Sequence, residues 1–462
     1  MLFNSISFLF LFLPVTYLVY WQMKTKERRY AWLAVSGYVF YSFWNYKFCA
    51  LMLFSTLVSF VAGLGLADST DPRRRKLFLV LPITVDLLLL GFFKYANFAF
   101  DSTNTVLGWM GLGAPLPALD IVLPIGISFY TFHTISYIVD VYRGAVRPTR
   151  NFLEFACYVS LFSQLVAGPI VRFRQVEADL EHLDSADRTA SLTRGWSFFV
   201  IGLVKKVVIA DTIASQINPA LAEYSALGSA GAWLCMLGYS YQLYFDFSGY
   251  SDMAVGLGLL FGIRLPQNFN SPYKATDIGD FWRRWHISLS SCLRDYLYIP
   301  FGGSRGGSMA TYRNMMLTML IGGLWHGANW TFVVWGAYHG FWLMVHRALE
   351  APWGRLPPTV QRSATFLIAV VGWVFFRADN LEMANTLLQK MFSPSPGALM
   401  TWSASLGTML LLAGVIAHGL PNTFELKHQW RRPATAGWAV LFLLALGIIY
   451  GGQPSPFLYF QF

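Results

Sequence analysis

Runs of roughly twenty apolar residues, separated by short loops that carry the charge, recur along the whole 462-residue chain. A bilayer core of ~30 Å takes about 20 helical residues to cross, and such runs lie at 5–21, 30–46, 48–67, 77–97, 121–142 and 152–171. More follow at 196–214, 230–250, 252–264, 314–325, 328–346, 363–377, 400–419 and 435–452. Hydrocarbon offers no water to bond backbone N–H and C=O groups, so the crossing segments must satisfy them internally, as helices do. The pattern predicts an all-α polytopic membrane protein with about 11 transmembrane helices. The run 252–264 and the amphipathic stretch 281–301 fit re-entrant or in-plane helices, which are tolerated where protein or a wet cavity surrounds them.

Composition narrows the class further. With 55% hydrophobic and 13% charged residues, the chain is neither disordered nor collagen-like. Cys49, Cys157, Cys235 and Cys292 form no CxxC pair, so no disulfide framework or zinc site is signalled. The formal charge of +10 sits in short loops and suits a membrane-lipid surface or an anionic ligand, not nucleic acid. Basic residues at Lys24–Arg29, at Arg73–Lys76 and at Arg143, Arg147 and Arg150 occupy alternate loops. The positive-inside rule places all three in the cytoplasm, and puts the N-terminus and the Asp101–Asp120 loop outside. The first apolar run, Ile6–Tyr20, lacks a basic n-region and an A-x-A site, and reads as a retained span. Ser160, Ser163, Gln164, Gly168 and Pro169 mark 152–170 as a segment that dips in and returns, and 171–195 is placed in the cytoplasm. Without internal repeats or long linkers, residues 1–462 read as one integral membrane domain, with 121–377 as its catalytic core.

Ionisable groups inside apolar spans are costly and mark functional interiors. One cluster, Gln242–Asp252, brings Tyr244, Asp246 and Asp252 to the end of a span; the competing reading is a helix end at which Asp252 caps the next helix. A second, Phe281–Gly307, interleaves Trp282, Arg283, Arg284, Trp285, His286 and Arg294 with a Gly-rich loop, a surface that suits phosphates and a stacked ring. Arg and Trp anchoring at a lipid interface would look similar.

The third cluster, Ile321–Trp330, holds His326 and Asn329 in a run from Asn314 to Val345 without Asp, Glu, Lys or Arg. That run exceeds one membrane thickness at 1.5 Å per residue, so it breaks, most simply at Gly322–Ala328. A neutral imidazole beside that break can take a proton from a hydroxyl and return it to a leaving group; the alternative is a packing histidine. On a continuous helix His339 would lie about 220° away, and His339 with His346 forms no HExxH metal motif. His133, Lys94, Lys205 and Lys206 read as cavity-lining or snorkelling residues.

The strings Trp282–Gly307 (WRRWHISLSSCLRDYLYIPFGGSRGG) and Gly322–Gly340 (GGLWHGANWTFVVWGAYHG) resemble the membrane-bound O-acyltransferase family, most closely its bacterial alginate O-acetyltransferase branch. Leu123–Phe129 (LPIGISF), Tyr137–Gly144, Ala167–Arg174 (AGPIVRFR) and Gln242–Met253 (QLYFDFSGYSDM) agree. The resemblance implies a membrane-bound O-acyltransferase-like core in the bacterial inner membrane. The family's characteristic histidine falls on His326, and its second polar position falls on His286. Acetyl-CoA would enter from the cytoplasm as a co-substrate, no cofactor being permanently bound. Its phosphates would lie near Arg283, Arg284 and Arg294, with Trp282, Trp285, Asn329, Tyr244 and Asp246 completing the donor site. The acetyl group would leave on the periplasmic side to a periplasmic or membrane-anchored partner acetyltransferase that modifies an exopolysaccharide such as alginate or cellulose.

Direct transfer is the simplest chemistry. Gly302–Gly306 (GGSRG) matches G-x-S-x-G with Ser304 in the nucleophile position, but that elbow needs a strand-to-helix turn. After Arg377 the region 378–435 departs from the branch, which leaves the polymer open. The tail Pro456–Phe462 (PFLYFQF) resembles the branch's ending and is expected either to dock the partner or to form an interfacial aromatic belt. Rival classes are a non-enzymatic polysaccharide channel or exporter, and a transferase with another acyl donor. A glycosyltransferase would want a D-x-D, which is absent, as are Walker and Rossmann fingerprints.

Overall fold

A computed structural model of the chain describes every residue except 120, 167, 398–403, 429, 431, 453–456 and 459–462, and omits the side chains of 432–434. All regular elements among the described residues are helical. Among the described residues three helices are long and apolar enough to cross a membrane, Lys47–Asp68, Pro72–Trp109 and Pro358–Arg377, and Phe8–Gln22, Ala404–Gly419 and Thr435–Gly451 are shorter apolar helices. The chain folds as two compact units, Met1–Trp196 with Ala254–Pro266, and Ser197–Met253 with Gln267–Phe462.

In the first unit, helices Lys47–Asp68, Pro72–Leu90 and Ile127–Tyr142 meet around the buried Asp86, whose carboxylate accepts from Ser55 Oγ and Thr134 Oγ1, each at 2.7 Å. The 38-residue helix Pro72–Trp109 runs about 57 Å at 1.5 Å per residue, past the end expected near residue 97. Its continuation shortens the predicted outer loop. Asn97 and Asn104 clamp the returning strand of chain, each side chain bonding both backbone groups of Leu119 and Leu116 respectively.

The segment expected to dip in does leave the helical path. Helix Phe152–Ser160 has 9 residues, and the chain then runs without regular helix to Arg172 while its described residues stay buried. Irregular backbone at such depth needs internal partners. Gln164 Nε2 donates to the Tyr158 carbonyl at 2.5 Å, and Tyr158 Oη donates to the Val171 carbonyl at 2.9 Å.

In the second unit, helices Gly202 and Gly249 belong to cross where a Cβ on Gly202 would sit 2.4 Å from the Gly249 carbonyl oxygen. That close approach aligns two consecutive lysines, on the π-helical turn Lys205–Ala210, with two carboxylates. Lys206 Nζ lies 2.6 Å from Asp246 and 2.7 Å from Asp211, and Lys205 Nζ lies 2.6 Å from Asp252. These lysines pair internally; they do not snorkel. Ser229–Leu260 is one unbroken helix of 32 residues, so Asp252 is an ion-pairing residue inside it and not the cap of a new helix. Thr423 Oγ1 adds a 2.6 Å hydrogen bond to the same Asp252 oxygen.

The described part of the aromatic tail turns inward. Phe457 is buried and stacks on Tyr250 at 4.5 Å, and the Leu458 N–H donates to Asp246 Oδ2 at 3.1 Å. Neither residue is offered to a partner or a lipid interface as expected; residues 456 and 459–462 lie outside the described ones.

Candidate active site

His326 closes a helix whose partner packs against it backbone to backbone. Helix Gly307–His326 ends at the imidazole, Gly327 runs extended with φ −162°, and Asn329 opens helix Trp330–Ala348 by accepting the Thr331 N–H at 3.0 Å. The break thus falls inside the predicted glycine-flanked stretch. Three glycines let the two helices close. A Cβ on Gly323 would lie 2.2 Å from the Phe332 carbonyl oxygen, one on Gly336 2.3 Å from that of Met319, and one on Gly327 2.2 Å from the Phe332 ring. Small residues at a helix seam allow this approach, and the short turn leaves His326 buried among rings. Trp325, Trp335 and Phe376 stand edge-on to it at centroid distances of 5.0, 5.0 and 5.2 Å.

His286 enters from a second direction. Helix Ile278–Arg284 stops at Trp285, and His286 adopts φ 45°, ψ 54° before helix Ile287–Leu293 begins. A left-handed conformation in a residue with a Cβ costs about 1–2 kcal/mol and persists only where neighbours over-determine it. Asn268 supplies that constraint. Its main-chain oxygen accepts the Ile287 N–H at 2.9 Å, and its Oδ1 accepts from Ser288 N at 3.2 Å and Ser288 Oγ at 2.8 Å. The same Oδ1 lies 3.0 Å from His286 Nδ1. An atom that accepts a backbone N–H is the amide oxygen, so Nδ1 must carry the proton and Nε2 of the neutral ring holds the lone pair. The amide nitrogen of Asn268 donates to Ser251 Oγ at 3.1 Å, completing its anchorage.

The two imidazole centroids are 6.3 Å apart, with Trp325 beside both, 5.9 Å from His286. Phe247 stands edge-on to His286 at 4.7 Å. Two buried histidines are thus brought together among aromatic rings. Such a pair can bind an alcohol and move its proton.

The remaining candidates divide. Trp282 is buried against Trp335 and His339, at 5.6 and 5.2 Å. Trp285 packs on Trp373 at 4.7 Å and Phe269 at 5.0 Å, and Tyr244 on Tyr273 at 5.2 Å. Arg284 donates to Asp280 at 2.8 Å and to the Asn270 carbonyl at 3.3 Å. Arg283, its side chain 68% exposed, lies 3.6 Å from Asp280, and Arg294, 63% exposed, lies 2.7 Å from Asp295. The contacts of these guanidiniums are with carboxylates and backbone at the rim, not with either histidine. Asn329 caps its helix and donates to the Asp379 carbonyl at 2.9 Å, and Asp246 belongs to the Lys206 ion pair. Ser304 sits in an exposed loop without strands, bonded to Tyr298 Oη at 2.9 Å, so the G-x-S-x-G string builds no nucleophile elbow. Asn268, Trp335 and Phe376 escaped the sequence reading. An asparagine in a loop 18 residues before His286 gives no local signal of its role.

Residues 142–377 match the model of MBOAT, the membrane-bound O-acyltransferase family. The chain belongs to that family. The matched stretch contains both histidines, Asn268 and the aromatic rings around them. The acyltransferase is 45% identical over 453 residues to the protein named probable alginate O-acetylase AlgI of Pseudomonas aeruginosa, covering 94% of this chain and 85% of that one. It is 42% identical to the Pseudomonas putida protein of the same name, with both chains covered over 100% of their length. It is 35% identical to the peptidoglycan O-acetyltransferase of Helicobacter pylori, over 100% of this chain and 98% of that one.

Proposed function

We propose that this acyltransferase moves an acetyl group from cytoplasmic acetyl-CoA across the bacterial inner membrane for O-acetylation of an exopolysaccharide, alginate-like or cellulose-like, through a partner acetyltransferase on the periplasmic side. The observation that carries the reading is the pair of buried imidazoles 6.3 Å apart at a helix break, in a chain whose relatives are named for O-acetylation. His326 is the base: as the acceptor oxygen attacks the thioester carbonyl, its proton passes to the imidazole, the C–O bond forms and the C–S bond breaks. The imidazolium then returns the proton to the departing thiolate. His286, its Nδ1 held by Asn268, orients or assists. The exposed Arg283 and Arg294 are available for the donor's phosphates. Around this site the fold comprises about 11 membrane helices as one membrane domain, with 121–377 as its catalytic part and the N-terminus periplasmic by the charge of its loops.

The test supplies labelled acetyl-CoA to inside-out vesicles from cells making the polymer. Wild-type vesicles should pass label to a polymer ester on the far side, and His326→Ala vesicles should pass none while the protein remains folded in the membrane. Near-normal labelling by the variant would overturn the assignment.

A further inference from the structure

Behind the Trp335 ring lies a third histidine that the chemistry above does not use. His339 is 0% exposed, and neither of its ring nitrogens has a hydrogen-bond partner among the described residues. Its ring is walled by Trp335 at 4.8 Å, Trp282 at 5.2 Å, Tyr338 at 5.5 Å, and Phe281 stacked at 6.1 Å. The indole nitrogens of Trp282 and Trp335 are likewise buried without a partner among the described residues. Three rings in mutual contact thus hold polar atoms that nothing among the described residues satisfies. A buried donor or acceptor left unmade is costly, and a phenylalanine of similar volume would not incur that cost. Packing alone does not explain an imidazole here.

The position of the cluster indicates what satisfies it. Trp335 touches His326 on its other side, at 5.0 Å. Toward the other end of the same helix, His346 Nδ1 lies 3.9 Å from Asp277, beside the exposed Arg283. From Trp335 to His346 the helix rises about 16 Å at 1.5 Å per residue, with His339 part-way along. The cluster thus lies on this helix between the charged rim and the turn that holds His326.

We propose that His339, with the Trp282 and Trp335 indoles, is a binding site for the amide groups of the acyl donor's extended arm. This rests on the thioester-donor reading given above. His339 would then contribute to holding the donor and not to breaking its bond, and a group of that kind affects KM more than kcat.

The experiment compares full-length His339→Phe and His339→Gln in inside-out vesicles, with labelled acetyl-CoA titrated at fixed acceptor and His326→Ala in parallel. His339→Phe should raise the donor KM about tenfold, the loss expected for one hydrogen bond to ligand, with kcat changed less than about threefold and the melting temperature of the purified protein unchanged or higher. His339→Gln, which keeps a donor and an acceptor, should recover most of the affinity. A wild-type donor KM in His339→Phe overturns the proposal, and so does an equal loss in both variants through kcat. If His339→Phe does not accumulate in the membrane, His339→Met against His339→Gln makes the same comparison. Persistent transfer by His326→Ala would overturn the assignment of the base, whereas the donor KM of the position-339 variants decides this site independently.

Discussion

Replacing Asn268 by alanine tests whether His286 must be held in its left-handed geometry to act. The side chain accepts three hydrogen bonds, from His286 Nδ1, Ser288 N and Ser288 Oγ. At about 1 kcal/mol net each they contribute roughly 3 kcal/mol, against about 1–2 kcal/mol for a left-handed residue with a Cβ. Without them the left-handed geometry is left about 1–2 kcal/mol uphill, which lowers its populated fraction roughly fivefold to thirtyfold. Nδ1 also loses the acceptor that fixes its proton. Asn268→Ala should therefore reduce acetyl transfer from labelled acetyl-CoA by a factor of about 5 to 30, with donor KM little changed. Ser288→Ala removes one of the three bonds and leaves the pair between Oδ1 and Nδ1 intact. It should cost about 1 kcal/mol of stability and keep transfer within about threefold of wild type. Wild-type transfer by Asn268→Ala, or equal losses in the two variants, would refute the reasoning.

Two further outcomes follow from packing and charge. Lys206→Met leaves the buried Asp246 without its cation, and removal of one partner of a buried pair costs about 3–5 kcal/mol; thermal unfolding in detergent should register that loss, and an unchanged melting temperature would contradict the pairing. Gly336→Ala places a methyl 2.3 Å from the Met319 carbonyl oxygen and should separate the two helices that carry His326, lowering transfer and stability together. The same substitution at Gly91, where a Cβ meets nothing within 4 Å, should change transfer little.

The helix break at His326 was legible because an uncharged run longer than a bilayer must yield somewhere, and its glycines mark the place. The polar lining was harder to read. Lys205 and Lys206 resembled snorkelling residues because Asp252 and Asp246, their carboxylate partners on another helix, stand 47 and 40 positions away, a relation no local pattern carries. Asp252 looked like a cap because serine, glycine and aspartate crowd together there, yet the ion pair with Lys205 lets the helix continue through it. Helix Ile127–Tyr142 shows why the apolar helices recognised in the structure are fewer than the spans read from the sequence: it buries Ser128, Thr131, His133, Thr134, Ser136 and Asp140. Helices surrounded by protein need less hydrophobicity than helices facing lipid. Asn268 was invisible because its importance comes from a backbone conformation 18 residues downstream.

The glycine seam beside His326 also constrains how the enzyme could be re-engineered. Main chain already touches main chain there, so the seam itself yields no space for a larger acyl group. Room must come from the rings around His326, where trimming Phe376 or Trp335 frees aromatic volume without parting the glycine contacts.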